Sequence, residues 1–228
     1  RNIKYGADVI KYCGTGGVFS KGDEPGAQQY TAAEVAALVE EAHMAHRRVA
    51  VHAHGAEGIK VAIRAGVDTI EHASLIDQEG LDLAKKNGTW LSMDIYNSEY
   101  TQTEGPKRGE LEEFLRKDRE IAQIQRDNFR KAVQMGIKLT MGTDSGVHRH
   151  GDNPKQLAWM VKYGMTPMQA IQAATKVGAE ALGIEKTVGQ IAPGYSADII
   201  AVPADPLADV SVLEHVAFVM KEGTVYKQ

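Results

Sequence analysis

The sequence predicts an α/β protein built on a parallel sheet with helical cover, and three observations carry that prediction. Short runs rich in β-branched residues alternate five times with helical stretches, as strands laid parallel under crossover helices do. Several helical stretches end at a glycine (Gly66, Gly88, Gly136) directly before the next apolar run, the usual place for a helix C-cap. Lys11, His52, His54, His72 and Asp144 fall at or near the C-terminal ends of the runs, the rim where parallel α/β folds assemble their sites. Five units fit either an open doubly wound sheet or part of an eightfold barrel, and five alone cannot close such a barrel.

Residues 7–13, ADVIKYC, form an apolar run ended by Gly14, Gly16 and Gly17, which reads as a strand and a loop. Thr31 and Glu34 form a capping box that opens a helix to about Arg48, with Val35, Leu38, Val39 and Ala42 on one face. The run 49–55, VAVHAHG, leads from small and β-branched residues into two histidines. Spaced two apart, His52 and His54 point to the same face of an extended strand. A helix near 56–65, a strand at 67–72 and a helix at about 77–87 follow. Residues 89–96 predict a fourth strand, 97–109 a polar loop and 110–135 a long helix carrying Leu115, Ile121 and Phe129. A fifth strand at 137–142 runs into Thr143, Asp144, Ser145 and Gly146. Asn153-Pro154 and Thr166-Pro167 each pair a cap with proline at the first helical position, predicting two helices. Short strands are expected at 197–202, 216–220 and 224–226, the last two joined by a turn at Glu222-Gly223.

Composition bounds the function. The 228 residues, 43% hydrophobic and 25% charged, suit a globular protein with one sizeable core. A net charge of −4 without a basic stripe argues against nucleic acid as a partner. No apolar run approaches the length of a membrane span. Cys13 is the single cysteine, which excludes an internal disulfide and a thiolate-rich zinc site and says nothing of compartment. The chain starts at Arg1 without a signal-peptide pattern and runs at once into an internal-looking element. It reads as the C-terminal part of a longer protein.

The strand-end residues carry the chemistry. Two imidazoles on one face suit a metal or an acid–base site. Taken singly, each strand-end histidine also fits a hydrogen-bonded structural role, and Asp144 also fits a cap of the 143–146 turn. Lys11 inside VIKYC is harder to assign to structure, because a buried ammonium needs a partner, a shifted pKa or a chemical change.

Lysine, histidine, histidine and aspartate on successive strands, in the settings VIKYC, VHAHG, IEHAS and GTDSG, resemble the amidohydrolase superfamily of metal-dependent hydrolases. The tail segments GVHRHGDN, YGMTPMQAIQAAT, VGQIAPGYSADIIAV and FVMKEGTVYK are similar to its Xaa-Pro dipeptidase, carboxypeptidase and ochratoxinase-like branch, in the same order. The resemblance covers nearly the whole chain. It implies a distorted (β/α)8 TIM barrel of which strands four to eight are here, over residues 1–187, with residues 188–228 joining a small β-sandwich. It implies two divalent metal ions, with Zn²⁺ expected, and an N6-carboxylated Lys11 bridging them. His52 and His72 would be further ligands, and Asp144 would contact a metal and the bridging hydroxide. His54 would face the substrate and, with Tyr96, steady the developing oxyanion; for Tyr96 a packed aromatic is an equal reading. The family's His-X-His pair on strand one is expected from a preceding segment, since His148 and His150 lie after strand eight. A homo-oligomer is implied by the same analogy.

On this reading the enzyme cleaves the amide bond to a C-terminal amino acid, in a dipeptide, an N-acyl amino acid or an ochratoxin-like conjugate, with a metal-bridging hydroxide as nucleophile. The loop of Gly14, Gly16 and Gly17 either offers backbone N–H groups to a substrate carboxylate or is a plain turn. Around residue 149, His150 has the better case for binding a substrate end, and His148 reads as solvated loop. Two alternatives stand beside this: hydrolysis of cyclic amides such as imidazolone rings, and a non-catalytic α/β binding module.

Overall fold

The computed structural model describes residues 1–228. Five strands, β1 (Val9–Cys13), β2 (Arg48–Gly55), β3 (Thr69–Leu75), β4 (Trp90–Ser92) and β5 (Leu139–Thr140), form one sheet in chain order. Every pairing in it is parallel. The covering helices are α1 (Ala32–Met44), α2 (Ala56–Ala65), α3 (Gln78–Asn87), α4 (Asn97–Arg108) and α5 (Glu112–Met135). After β5 come α6 (Lys155–Lys162), α7 (Pro167–Ala174) and α8 (Lys176–Leu182). A separate antiparallel sheet orders β6 (Ile199–Ala201), β7 (Phe218–Lys221) and β8 (Thr224–Lys227) side by side. The fold is thus the expected mixed α/β one, with consecutive βα units and a small second sheet. No helix is long and apolar enough to cross a membrane.

Period two divides the large sheet into unlike faces. Val49, Val51 and Ala53 of β2, Ile70 of β3 and Leu91 of β4 are fully buried, in one cluster with Ile59 and Ile63 of α2 and Phe129 and Ala132 of α5. Removing a side chain such as Ile63 from water contributes roughly 1.5–3 kcal/mol. The other face carries Lys11 and Cys13, both exposed, with Ala50, His52, Thr69 and Glu71 half-buried. Side chains of this second face line two hollows, one at the C-terminal strand ends and one of ≈ 520 Å³ beside Ala50, Thr69 and Thr140.

The capping box forms as read: the Glu34 N–H donates to Thr31 Oγ1 at 3.3 Å, and the Thr31 N–H donates to Glu34 Oε2 at 2.8 Å. Thr166 and Gln169 repeat the device at α7. Other expectations need correction. The stretch 97–109 is not a loop but α4, whose polar sequence is held helical by packing on α5. Tyr100, Thr101 and Gly105 are buried, and Ser98 and Gln102 donate to Asp118 at 2.7 and 2.6 Å. Tertiary contact here overrides the polar composition that reads as a loop. Strands β4 and β5 are shorter than their apolar runs, because the chain leaves Ser92 through a turn at residues 93–96 into α4 and leaves Thr140 into the Asp144 loop. Asn153 does not cap α6; it accepts hydrogen bonds from Thr143 at 3.1 Å and from Ser145, and so ties the loop after β5.

Candidate metal centre

Three imidazoles meet at the C-terminal end of the sheet. The ring centroids of His52, His54 and His72 lie 4.7–4.8 Å apart pairwise. His52 and His54 reach the cavity by strand alternation alone. His72 does not. With Ile70 buried under the helices and Glu71 on the open face, alternation would turn His72 toward the core. The chain instead kinks: His72 and Ala73 adopt φ of 70° and 48°, a left-handed pair that swings the imidazole to the cavity side. Such a conformation costs roughly 1–2 kcal/mol per residue. Asp144, at φ 49°, is a third left-handed residue at the same rim, so the backbone strain gathers where the ionisable groups converge.

Each imidazole has its own hydrogen-bond support. His72 Nδ1 donates to Asp94 Oδ1 at 3.0 Å, and that carboxylate also accepts from Gln125 Nε2 at 3.0 Å and Asn97 Nδ2 at 3.1 Å. A carboxylate only accepts, so the His72 proton sits on Nδ1 and Nε2 is left as the free ligand atom. His54 Nδ1 lies 2.8 Å from Ser74 Oγ, and its backbone N–H donates to Thr15 Oγ1 at 2.9 Å. Burial pushes the His52 pKa down to about 4, helped by the charge of His72. Burial and the two other rings hold His54 well below the usual histidine value. For His72 burial acts in the same downward direction, but the Asp94 charge and hydrogen bond outweigh it and the net shift is upward. Asp94 mirrors this: burial would raise it, yet His72 and Asn97 carry it below the usual carboxylate range.

The donor set fits a divalent ion. Ligand atoms of His52, His54 and His72 lie within 4.8 Å of one another, and so do those of His72, Asp94 and Asp144. Imidazole nitrogen with carboxylate oxygen suits zinc and its first-row neighbours. Lys11 lines the same cavity of ≈ 420 Å³. It is exposed, not the buried ammonium its setting in VIKYC suggests, and its Nζ has no hydrogen-bond or ion-pair partner.

Other expected residues go elsewhere. Tyr96 is buried against α6, with its N–H donating to Gln156 Oε1 at 2.9 Å and its ring 5.3 Å from that of His148; it does not line the cavity. His150 is exposed in a short 3-10 turn, His150–Asp152, and does not line it either. His148 is buried rather than solvated, its ring nitrogens 2.9 and 2.8 Å from the carbonyl oxygens of Arg149 and Thr143. Gly17 lines the cavity, but the glycine loop is no anion nest. Its N–H groups are spent internally: Gly14 on the His52 carbonyl at 2.8 Å, Gly16 on that of Ala27 at 2.9 Å, and Gly17 on Asp23 at 3.3 Å.

Sequence reasoning missed Asp94, Ser74, Gln125 and Asn128. Asp94 carried a signal, as the one carboxylate near the end of the fourth apolar run. The α5 residues carried none, because an amide on a long polar helix reads as surface. Gln125 also donates to the His72 carbonyl at 3.1 Å, and Asn128 donates to that of Ser74 at 3.0 Å.

The sequence profile described as the amidohydrolase family matches residues 1–226. An ochratoxinase of Aspergillus niger is 33% identical over 231 residues, covering 99% of this chain and 47% of the relative; the chain spans about half the length of the curated relatives it matches. A crystal structure of a Xaa-Pro dipeptidase with bound methionine superposes with a TM-score of 0.93 at 43% identity, over 99% of this chain and 56% of that one. A prolidase complexed with N-methylphosphonate-L-proline gives 0.93 at 28%, over 99% and 56%.

Proposed function

Because this chain belongs to the amidohydrolase family, we propose that it forms the larger part of the catalytic site of a metal-dependent hydrolase. That enzyme cleaves the amide bond to a C-terminal amino acid in a dipeptide, an N-acyl amino acid or an ochratoxin-like conjugate. The observation that carries the reading is the triangle of His52, His54 and His72, set within 4.8 Å ligand-atom spacing and backed by Asp94 and Ser74. The names of the similar proteins, an ochratoxinase and a Xaa-Pro dipeptidase, support the substrate class.

His52, His72 and Asp144 would hold two divalent ions, zinc by donor type, together with Lys11. Lys11 is accessible for carboxylation, in which the amine adds carbon dioxide, loses a proton and becomes an oxygen ligand. A His-X-His pair from outside these residues completes the coordination. Bound there, the metal supplies Lewis acidity that polarises the scissile carbonyl and activates water. Asp144 takes the proton of the attacking water as the C–O bond forms, and delivers it to the amine nitrogen as the C–N bond breaks. With the Ser74 hydroxyl donating to its Nδ1, His54 presents Nε2–H to the carbonyl oxygen, whose negative charge grows toward the transition state. Low pKa values keep His52 and His54 neutral, which leaves each ring one nitrogen lone pair, that of His52 for coordination and that of His54 Nδ1 to accept from Ser74.

The test is hydrolysis by the full-length protein of a panel of dipeptides, N-acyl amino acids and cyclic amides, before and after chelation and with zinc, manganese or cobalt restored. Cleavage of the linear amides that vanishes on chelation and returns with metal is expected. Cleavage of cyclic amides alone would move the reading to an imidazolone-type hydrolase. Less than one tightly held metal per chain with no turnover would leave a binding module.

A further inference from the structure

A buried ammonium is expensive, so what it touches shows what it is for. Lys117 of α5 has a side chain with no exposed surface. Its Nζ donates to the Ser20 carbonyl at 2.7 Å and Asp23 Oδ1 at 3.2 Å and is ion-paired with Glu113 Oε1 at 3.0 Å. Two of these three partners belong to the segment between β1 and α1. Asp23 passes the contact on, since its Oδ2 accepts from the Gly17 N–H at 3.3 Å and from Ser20 Oγ at 2.8 Å.

That segment is one wall of the cavity. Gly17 lies flat against His52; a Cβ there would stand 3.3 Å from Cε1 and 3.4 Å from Nε2. Val18 and Phe19 follow it into the cavity lining, where Ile121 and Val147 are also apolar while most of the other lining residues are polar or charged. Phe19 also packs on Phe114 of α5, ring centroids 5.5 Å apart. Lys117, Ile121 and Gln125 are spaced four apart, hence on one helix face. The first holds the apolar wall, the second lines the cavity, and the third holds Asp94 and His72.

We infer that Lys117 is a positioning residue for substrate selection: through Asp23 it fixes the Gly17–Phe19 wall beside His52, where an apolar side chain of the substrate packs. The inference rests on the amidohydrolase reading for its substrate but not for its clamp. Lys117→Met keeps the stem and removes the three charged donors, releasing the wall while Gln125 still holds the imidazole side.

The experiment uses full-length protein and two dipeptides, alanylphenylalanine and alanylglycine. Lys117→Met raises KM for the phenylalanine substrate about tenfold while KM for the glycine substrate, kcat and metal content hold. Lys117→Arg recovers part of the loss, and Asp23→Asn, further from the core, gives the same selectivity change in smaller measure. Equal loss on both substrates, or a fall in kcat at constant KM, overturns the inference. Amide hydrogen exchange over residues 14–23 answers even where wild type cleaves neither dipeptide. Faster exchange confined to that segment in Lys117→Met supports the clamp, and unchanged exchange overturns it.

Discussion

The two faces of the five-stranded sheet obey different rules. On the helix side, Val49, Val51, Ala53, Ile70 and Leu91 are fully buried. On the cavity side of the same strands stand His52, His54 and Glu71, and beside them the left-handed His72, Ala73 and Asp144. One face is where stability accumulates by removal of apolar surface from water. On the other, stability is given up in backbone strain and buried polar groups so that imidazoles and carboxylates converge. A substitution should therefore move either the folding equilibrium or the chemistry, according to the face it touches.

The largest effect expected is on the cavity side. Asp144→Asn should lower kcat by ~10²–10⁴-fold, the range for loss of a general acid–base, while the melting temperature stays or rises as a charge leaves the rim. A large stability loss without a kinetic defect would break the distinction between faces. Next, Ile63→Ala on the helix side should cost about 2–5 kcal/mol of unfolding free energy by denaturant titration, with KM and metal stoichiometry unchanged in the folded fraction. Asp94→Asn sharpens the contrast, since it leaves shape intact but removes the negative charge facing His72 and puts a donor in place of one of the two accepting oxygens. Metal affinity by competitive chelation should fall ~10–100-fold.

The smallest expected effect is a pH dependence of the metal-stripped protein. His52 titrates at about 4 when folded against an ordinary 6.5, so between those values the unfolded chain binds more protons. Stability from this group is complete above 6.5 and is lost as pH falls toward 4. The melting temperature should drop across that window, and less steeply in His52→Gln. An identical slope in the variant would assign the acid sensitivity elsewhere.

The helix-side face was legible because its code is local. β-branched runs, the Thr31–Glu34 box and glycine stops each act within a few residues, and β1, β2, β3, α1, α2 and α3 fall near their expected bounds. The site was legible where strand alternation and position at the rim were enough, as for His52 and His54. What was lost depends on distant contact. The helical state of 97–108 is fixed by α5, the His72 orientation by two unusual φ angles, and the burial of His148 by carbonyls on either side of it in the β5 loop. Lys11 misled in the opposite sense: an apolar neighbourhood in sequence suggested burial, yet its strand position puts it on the open face.

The kink at His72 and Ala73 makes the two demands separable by selection. Glycine relaxes left-handed backbone, whereas valine and isoleucine are excluded from it by their branched Cβ. A saturation library enriched solely for folded chains should favour glycine at both positions. One enriched for zinc retention should do so at 73 while keeping histidine at 72. Divergence of the two profiles at a single residue would measure how far ligand geometry overrules comfort of the main chain.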